Sequence, residues 1–132
     1  MIYLDTNIFL HPILANDAKS EACLMLIKKV INGELAAGTS PLTWDEFNYT
    51  IRRRWGIERA TQLSQDLLST PNLVFLDTTE EIVNKAQELT LGAQLDPRDA
   101  IHAATAIING CTEIVSDDND FDRVKELKRK KV

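Results

Sequence analysis

Short apolar runs that stop at polar residues alternate along this chain with amphipathic helical segments. That alternation restricts the fold more than any other feature. "MIYLDTNIFL" starts with Ile2, Tyr3 and Leu4 and then meets Asp5, Thr6 and Asn7. "ELAAGTS" is compatible with a buried strand of small residues, "LVFLD" is a clear strand, and "TEIVS" runs into Ser116, Asp117 and Asp118. Between the first two, "DAKSEACLMLIKKVING" places Cys23, Leu26, Ile27, Val30 and Ile31 at helical spacing and stops at Asn32-Gly33. "SPLTWDEFNYTIRRRW" predicts a helix capped by Ser40, with Pro41 at its first position and Trp44, Phe47, Ile51 and Trp55 on one stripe. Gly56 ends it, and "IERATQLSQDLLS" predicts a second amphipathic helix through Ala60, Leu63 and Leu67 before a turn at Pro71-Asn72.

The second half repeats the alternation. "TTEEIVNKAQELTLG" carries a capping-box pattern at Thr78 and Glu81 and closes at Gly92. "DPRDAIHAATAIING" predicts a helix capped by Asp96 with Pro97 at its first position, its small apolar residues suited to close packing. "DDNDFDRVKELK" predicts a last helix through Phe121, Val124 and Leu127. The expected fold is α/β: one domain over residues 1–132, with a parallel sheet of about four strands covered by helices on both faces. In such sheets the working groups lie beyond the carboxyl ends of the strands. Asp5 ends the first strand and Asp118 follows the last, so neighbouring strands would bring these carboxylates together.

The 132 residues are enough chain for a real core, and no apolar run approaches the length of a membrane span. The amino terminus lacks the basic and long apolar regions of a signal peptide, so a cytoplasmic setting is expected. Cys23 and Cys111 sit among apolar neighbours and read as small buried hydrophobes. The two histidines, without a cysteine cluster, do not make a zinc site. A net charge of −5 argues against a general nucleic-acid coat protein, yet the charges are unevenly placed. Arg52, Arg53, Arg54 and Arg59 are grouped, as are the cations of "RVKELKRKKV", while acids crowd "SDDNDFD". The plainer reading of each run is a solvated helix face or a tail.

Four acidic positions stand out: Asp5, Glu46, Asp99 and Asp118. Each has an innocent reading as a cap, a capping partner or an exposed side chain. Together at one sheet edge they would repel, and a hard divalent cation relieves that repulsion. Asp45 and Glu46 are about 100° apart on a helix, so only one can face a given point. His102, one turn from Asp99, reads as a hydrogen-bonded histidine in a packed helix that a metal mechanism does not need.

"YLDTNIF", "SPLTWDEF", "DPRDAIHAATA" and "IVSDDNDFDRV", in this order, resemble the PIN-domain family of metal-dependent nucleases. Among its small members they resemble the VapC-type toxins of prokaryotic toxin–antitoxin pairs. The resemblance covers essentially the whole chain and implies a PIN-like domain that hydrolyses RNA endonucleolytically with Mg²⁺ or Mn²⁺. It implies a metal site of Asp5, Glu46, Asp99 and Asp118, with Asp117 or Asp120 as substitutes for Asp118. Thr6, Asn7 and Ser116 would support these groups, Thr6 by orienting a carboxylate and Asn7 by holding the turn at the strand end. Ser116 stands where the family commonly has Thr. Arg52, Arg53, Arg54 and Arg59 would hold the RNA backbone, and Trp55 either stacks on a base or belongs to core or interface. A small antitoxin over the active-site groove and a homodimer are the implied partners.

Rival readings fare less well. A receiver-type module with Asp77 as phospho-acceptor wants an acid pair after the first strand and a lysine after the last, and neither is in place. An aspartyl-nucleophile phosphatase wants a second Asp where Asn7 stands. A calcium loop starting at Asp118 would have Arg123 at its glycine position and Arg129 at its twelfth. A PIN-like domain that binds without cleaving stays open, as does an RNA-processing nuclease outside a toxin–antitoxin pair.

Overall fold

The computed structural model describes all 132 residues. Five strands, β1 (Ile2–Leu4), β2 (Ala37–Thr39), β3 (Leu73–Phe75), β4 (Glu113–Val115) and β5 (Lys128–Lys130), form one sheet in the order β3-β2-β1-β4-β5. Every neighbouring pair is parallel. The helices are α1 (Thr6–Leu14), α2 (Ala18–Ile31), α3 (Pro41–Trp55), α4 (Ile57–Leu68), α5 (Glu80–Gly92) and α6 (Pro97–Ile108).

Successive strand residues face opposite sides of a sheet, and both sides are covered here. Tyr3 and Ile114 belong to a buried cluster with α5 and α6. Leu4 and Val115, their chain neighbours, belong to a second cluster with Ile8, Phe9, Cys23, Phe47, Ile51 and Leu67 of α1 to α4. Ala100, Ala103, Ala104 and Ala106 are all fully buried, so α6 lies close to its neighbours as its composition predicts. The small residues of β2 have a similar cause: a Cβ on Gly38 would sit 2.9 Å from Cδ1 of Leu76. Both cysteines are free and buried. No helix is long and apolar enough to cross a membrane.

The structure departs from the sequence reading in several places. Residues 6–14, where the sequence reading places only a strand-end turn at Asn7, form α1, with Asp5 as its N-cap. Pro12 lies inside this nine-residue helix and masked its pattern. Residues 119–127, read as a helix, form a 3₁₀ turn (Asn119–Arg123) that leads into β5. Phe121, Val124 and Leu127 are buried as expected, but the three-residue spacing fits a 3₁₀ turn and an extended connection equally well. The basic tail is thus partly an edge strand, where lysines discourage further pairing. Thr79, not Thr78, caps α5, accepting from the Ile82 amide at 3.3 Å. Ser40 and Asp96 occupy the N-cap positions of α3 and α6, but neither side chain bonds its helix. Trp44 and Trp55 are 40% and 46% exposed, so only Phe47 and Ile51 of the stripe are core.

Along the chain, β1 to β3 fill one side of the sheet and β4 and β5 the other, so the order reverses between β1 and β4. Asp5 and Ser116 leave the sheet side by side at that point, where open parallel sheets place their ligand sites. Phe121 anchors the turn that carries Asp118 and Asp120 and is 0% exposed. Phe121→Ala is expected to destabilise the fold by about 3–5 kcal/mol. A urea unfolding midpoint unchanged from wild type would show that this turn lies outside the cooperative core.

Candidate active site

Asp5 is 7% exposed, and four groups hold its carboxylate. The Thr6 amide donates to Oδ1 at 2.7 Å, so one interaction both caps α1 and fixes the side chain. Oδ2 accepts from Asn7 Nδ2 at 2.7 Å and from the Ser116 hydroxyl at 2.6 Å. His102 Nε2 lies 3.7 Å from Oδ1. Burial raises the Asp5 pKa above its ordinary 3.8, while His102, Ser116 and the Thr6 amide pull it back. Asn7 also donates to Ser116 Oγ at 3.1 Å, tying α1 to the end of β4.

Glu46 reaches the same place from α3. Its Oε1 accepts the Thr6 hydroxyl at 2.8 Å and is hydrogen-bonded to His102 Nε2. Burial pushes the Glu46 pKa upward, but His102, Thr6 and the charge of Arg98 hold it below the ordinary 4.5. His102 is 1% exposed, and burial works against its charge. The bond to Glu46 and the nearby Asp5 outweigh that, and its pKa stands above 6.5. Behind the ring, Nδ1 pairs with the Tyr3 hydroxyl at 2.7 Å. Sequence reasoning took His102 as a packed histidine, which it is, but missed that it bridges β1 to two of the predicted acids. The i, i+3 spacing from Asp99 was the available signal.

Asp99, in the first turn of α6, stands across from this pair. Its carboxylate oxygen, with those of Asp118 and Asp120, forms a group within 4.8 Å of one another. Burial first, then the charges of Asp118 and Asp5, raise the Asp99 pKa to about 6. Asp118 accepts from the Asp120 amide at 2.9 Å, and the Ser116 hydroxyl accepts from the Asp118 amide at 3.0 Å, so Ser116 orders this loop as well as Asp5. Asp117 points elsewhere, paired with Lys19 at 2.8 Å. Of the three alternatives in "SDDND", Asp118 and Asp120 therefore both stand with Asp99. Arg98 lines a cleft of about 410 Å³ with Glu46, Asp96, Pro97 and Asp99.

Arg52, Arg53 and Arg54 lie exposed on the last turns of α3, and Arg59 on α4. Arg53 is seven residues beyond Glu46, about 10 Å along the axis on nearly the same face. Its guanidinium lies 5.5 Å from the Tyr49 ring centroid, and that of Arg54 lies 5.2 Å from the Trp55 ring.

A parallel sheet whose switch point gathers carboxylates from β1, α3, α6 and the loop after β4 defines a class of α/β protein with an acidic site at one edge. Residues 2–127 match the PIN domain, and the chain belongs to that family. No curated protein sequence matches the chain. Among solved structures, a VapBC complex of Rickettsia felis bound to a fragment of its promoter DNA is similar, with a TM-score of 0.77 at 20% identity over 99% of this chain and 98% of that one. A VapC toxin of Mycobacterium tuberculosis that cleaves the sarcin–ricin loop gives 0.70 at 21% identity, covering 95% of each chain. FitAcB of Neisseria gonorrhoeae gives 0.74 at 17% identity, covering 98% of this chain and 96% of that one. At these identities the likeness is one of fold.

The raised pKa of Asp99 carries a stability consequence. A folded value of about 6 against an ordinary 3.8 means that the Asp99 charge costs stability, fully above pH 6 and not at all well below 3.8. Asp99→Asn is therefore expected to stabilise the ion-free protein above pH 6, with the gain fading as pH falls toward 3.8. Screening at this half-buried position limits the gain to about 1 kcal/mol. Thermal melts in chelator across this range check it, and a mutant no more stable than wild type above pH 6 would refute the cost of that charge.

Proposed function

We propose that this PIN domain is a divalent-metal-dependent endoribonuclease and the toxin of a toxin–antitoxin pair. The observation that carries the reading is the group of Asp99, Asp118 and Asp120 within 4.8 Å, facing Asp5 and Glu46 at the switch point of the sheet. All of these donors are oxygens, the set that suits Mg²⁺ or Mn²⁺. The raised Asp99 pKa, caused first by burial and then by the charges of Asp118 and Asp5, supports a site that gains from a bound cation. Asp99, Asp118 and Asp120 would hold the ion, with Asp5 beside them. When bound, such an ion lowers the pKa of an attacking water and offsets charge on the leaving oxygen.

The chain's own residues do the positioning. Thr6 N, Asn7 and Ser116 fix both oxygens of Asp5, so its charge is presented in one orientation. His102 and Thr6 hold Glu46 from behind and keep it ionised, as a group that can accept a proton from water at the cleft. Arg98 at the cleft wall and the arginines of α3 and α4 supply cations for the phosphate backbone. No serine or cysteine nucleophile is needed.

The toxin setting is supported by the similar structures, which include a toxin–antitoxin complex of Klebsiella pneumoniae and VapBC complexes. A small antitoxin lying over the cleft would block it. A homodimer is supported by the large apolar residues left exposed on α3 and α4, among them Trp55, Ile57 and Leu68 at 46%, 58% and 48%. The absence of a membrane-spanning helix is consistent with a cytoplasmic setting.

The test is cleavage of a pool of structured RNAs by purified protein in Mg²⁺, in Mn²⁺ and in chelator, beside Asp5→Asn. Cleavage should require the ion and fall by about 100-fold or more in a variant whose circular dichroism matches wild type. Cleavage that persists in folded Asp5→Asn, or in chelator, would overturn the mechanism.

A further inference from the structure

Beside the catalytic cleft lies a second one of about 250 Å³, lined by Asp45, Glu46, Tyr49, Thr50 and Arg98. It shares Glu46 and Arg98 with the first, so the two clefts are adjacent stations along one path. Its residues come mainly from one face of α3, where Asp45, Tyr49 and Arg53 follow at steps of four and lie in a row. We infer that this second cleft reads an unpaired guanine next to the phosphodiester that is cut. The inference rests on the nuclease reading and deepens it.

Tyr49 is 55% exposed, although a ring of that size on a packed helix is usually covered. Arg53 holds it in place: the guanidinium lies against the ring, and Nη1 donates to the phenol oxygen at 3.3 Å. A fixed, exposed aromatic ring backed by a cation is a stacking platform for a base. Single-stranded RNA offers such bases with their Watson–Crick edges free. Thr50 spends its hydroxyl on the Glu46 carbonyl at 2.8 Å, so it contributes surface and no readout.

Asp45 and Arg98 supply the polar contacts. Neither takes part in any ion pair of the structure, so both are free to meet a ligand. An ionised carboxylate only accepts hydrogen bonds and offers two oxygens side by side. Guanine alone among the RNA bases presents two adjacent donors, N1–H and the exocyclic amine, on its Watson–Crick edge. Adenine and cytosine set a ring acceptor next to their amine, and uracil flanks its one N–H with two carbonyls. Each of these would turn a lone pair toward Asp45. Arg98, on the wall between the clefts, stands where the phosphate joining the read nucleotide to the cut one must pass.

The test uses binding and cleavage together. In chelator, short labelled single strands carrying one guanosine, inosine or adenosine are titrated with wild type, Asp45→Ala, Tyr49→Ala and Tyr49→Phe by fluorescence anisotropy. Inosine keeps N1–H and lacks only the exocyclic amine. Wild type should bind the guanosine strand about 10-fold tighter than the inosine strand. Asp45→Ala should bind both alike, Tyr49→Phe should keep the preference, and Tyr49→Ala should weaken every strand. With Mn²⁺ added, mapped cut sites should share a guanine at a fixed offset, and Asp45→Ala should lose that sharing. Equal binding of guanosine and inosine by wild type, or a preference that survives Asp45→Ala, overturns the inference. Guanine discrimination without ion-dependent cleavage would sink the nuclease reading and leave the subsite. Cleavage without discrimination would do the reverse.

Discussion

Asp5 is a carboxylate almost removed from water at the point where four elements meet, and the donors aimed at it organise the rest of the site. Burying a charge without partners is costly enough that the group would take up a proton instead. The fold opposes that by aiming three donors at Asp5 from two segments: the Thr6 amide and the Asn7 side chain at the start of α1, and the Ser116 hydroxyl at the end of β4. The same bonds fix where α1 begins and hold the β4 loop against β1. Ser116 then receives the Asp118 amide, so the order imposed on Asp5 passes to the acids on the next loop. A stability requirement and a positioning device are here one set of hydrogen bonds.

The acids at the sheet edge fall into two electrostatic groups. Asp5 and Glu46 are served by His102, which stands behind them with Tyr3 on its other nitrogen. Asp99, Asp118 and Asp120 have no equivalent cation among them; Arg123 reaches Asp120 at 3.0 Å but is exposed and half solvated. Their carboxylate oxygens lie within 4.8 Å of one another, close enough to repel, with water screening part of that repulsion at these partly exposed side chains. A side chain could have neutralised this group as His102 does the other. Its absence leaves a concentrated negative field that a divalent ion can enter and a polyanion alone cannot. The arrangement thus separates a satisfied half, which gives geometry, from an unsatisfied half, which in the proposed function takes the ion.

Most of this was legible in the sequence because parallel α/β folds obey a strict rule: strand ends collect at one rim. Asp5, Asp99 and Asp118 stand out by their positions after apolar runs and in a first turn, Glu46 is preferred to Asp45 only through the family resemblance, and the geometry brings all four to one edge. Three features were hidden. The strand β5 was masked because Phe121, Val124 and Leu127 repeat every three residues, a period a helix and a 3₁₀ turn share. Helix α1 was masked by Pro12 and by its polar start. The choice among Asp117, Asp118 and Asp120 could not be made from a run of acids, because only the loop's hydrogen bonds turn Asp117 toward Lys19 and the other two toward Asp99. His102 was hidden differently. A buried histidine and a site histidine have the same sequence signal, and this one is both.

The net charge of −5 is compatible with the polyanionic substrate proposed here because the two signs are segregated along one helix. Glu46 sits in the second turn of α3 and belongs to the acidic edge, while Arg52, Arg53 and Arg54 occupy its last turns, where cations also suit the negative end of the helix dipole. Between them, Tyr49 is gripped by Arg53 and opens onto the cleft that Glu46 shares. A strand of RNA meeting this surface would find attraction first at the arginines, a flat ring one turn further on, and repulsion only at the edge where a cation is required. The acidic site therefore does not need a basic protein around it. It needs a short cationic track that ends at the carboxylates, and α3 carries both ends of that track in one rigid element, so their separation is set by the helix rise and not by a loop.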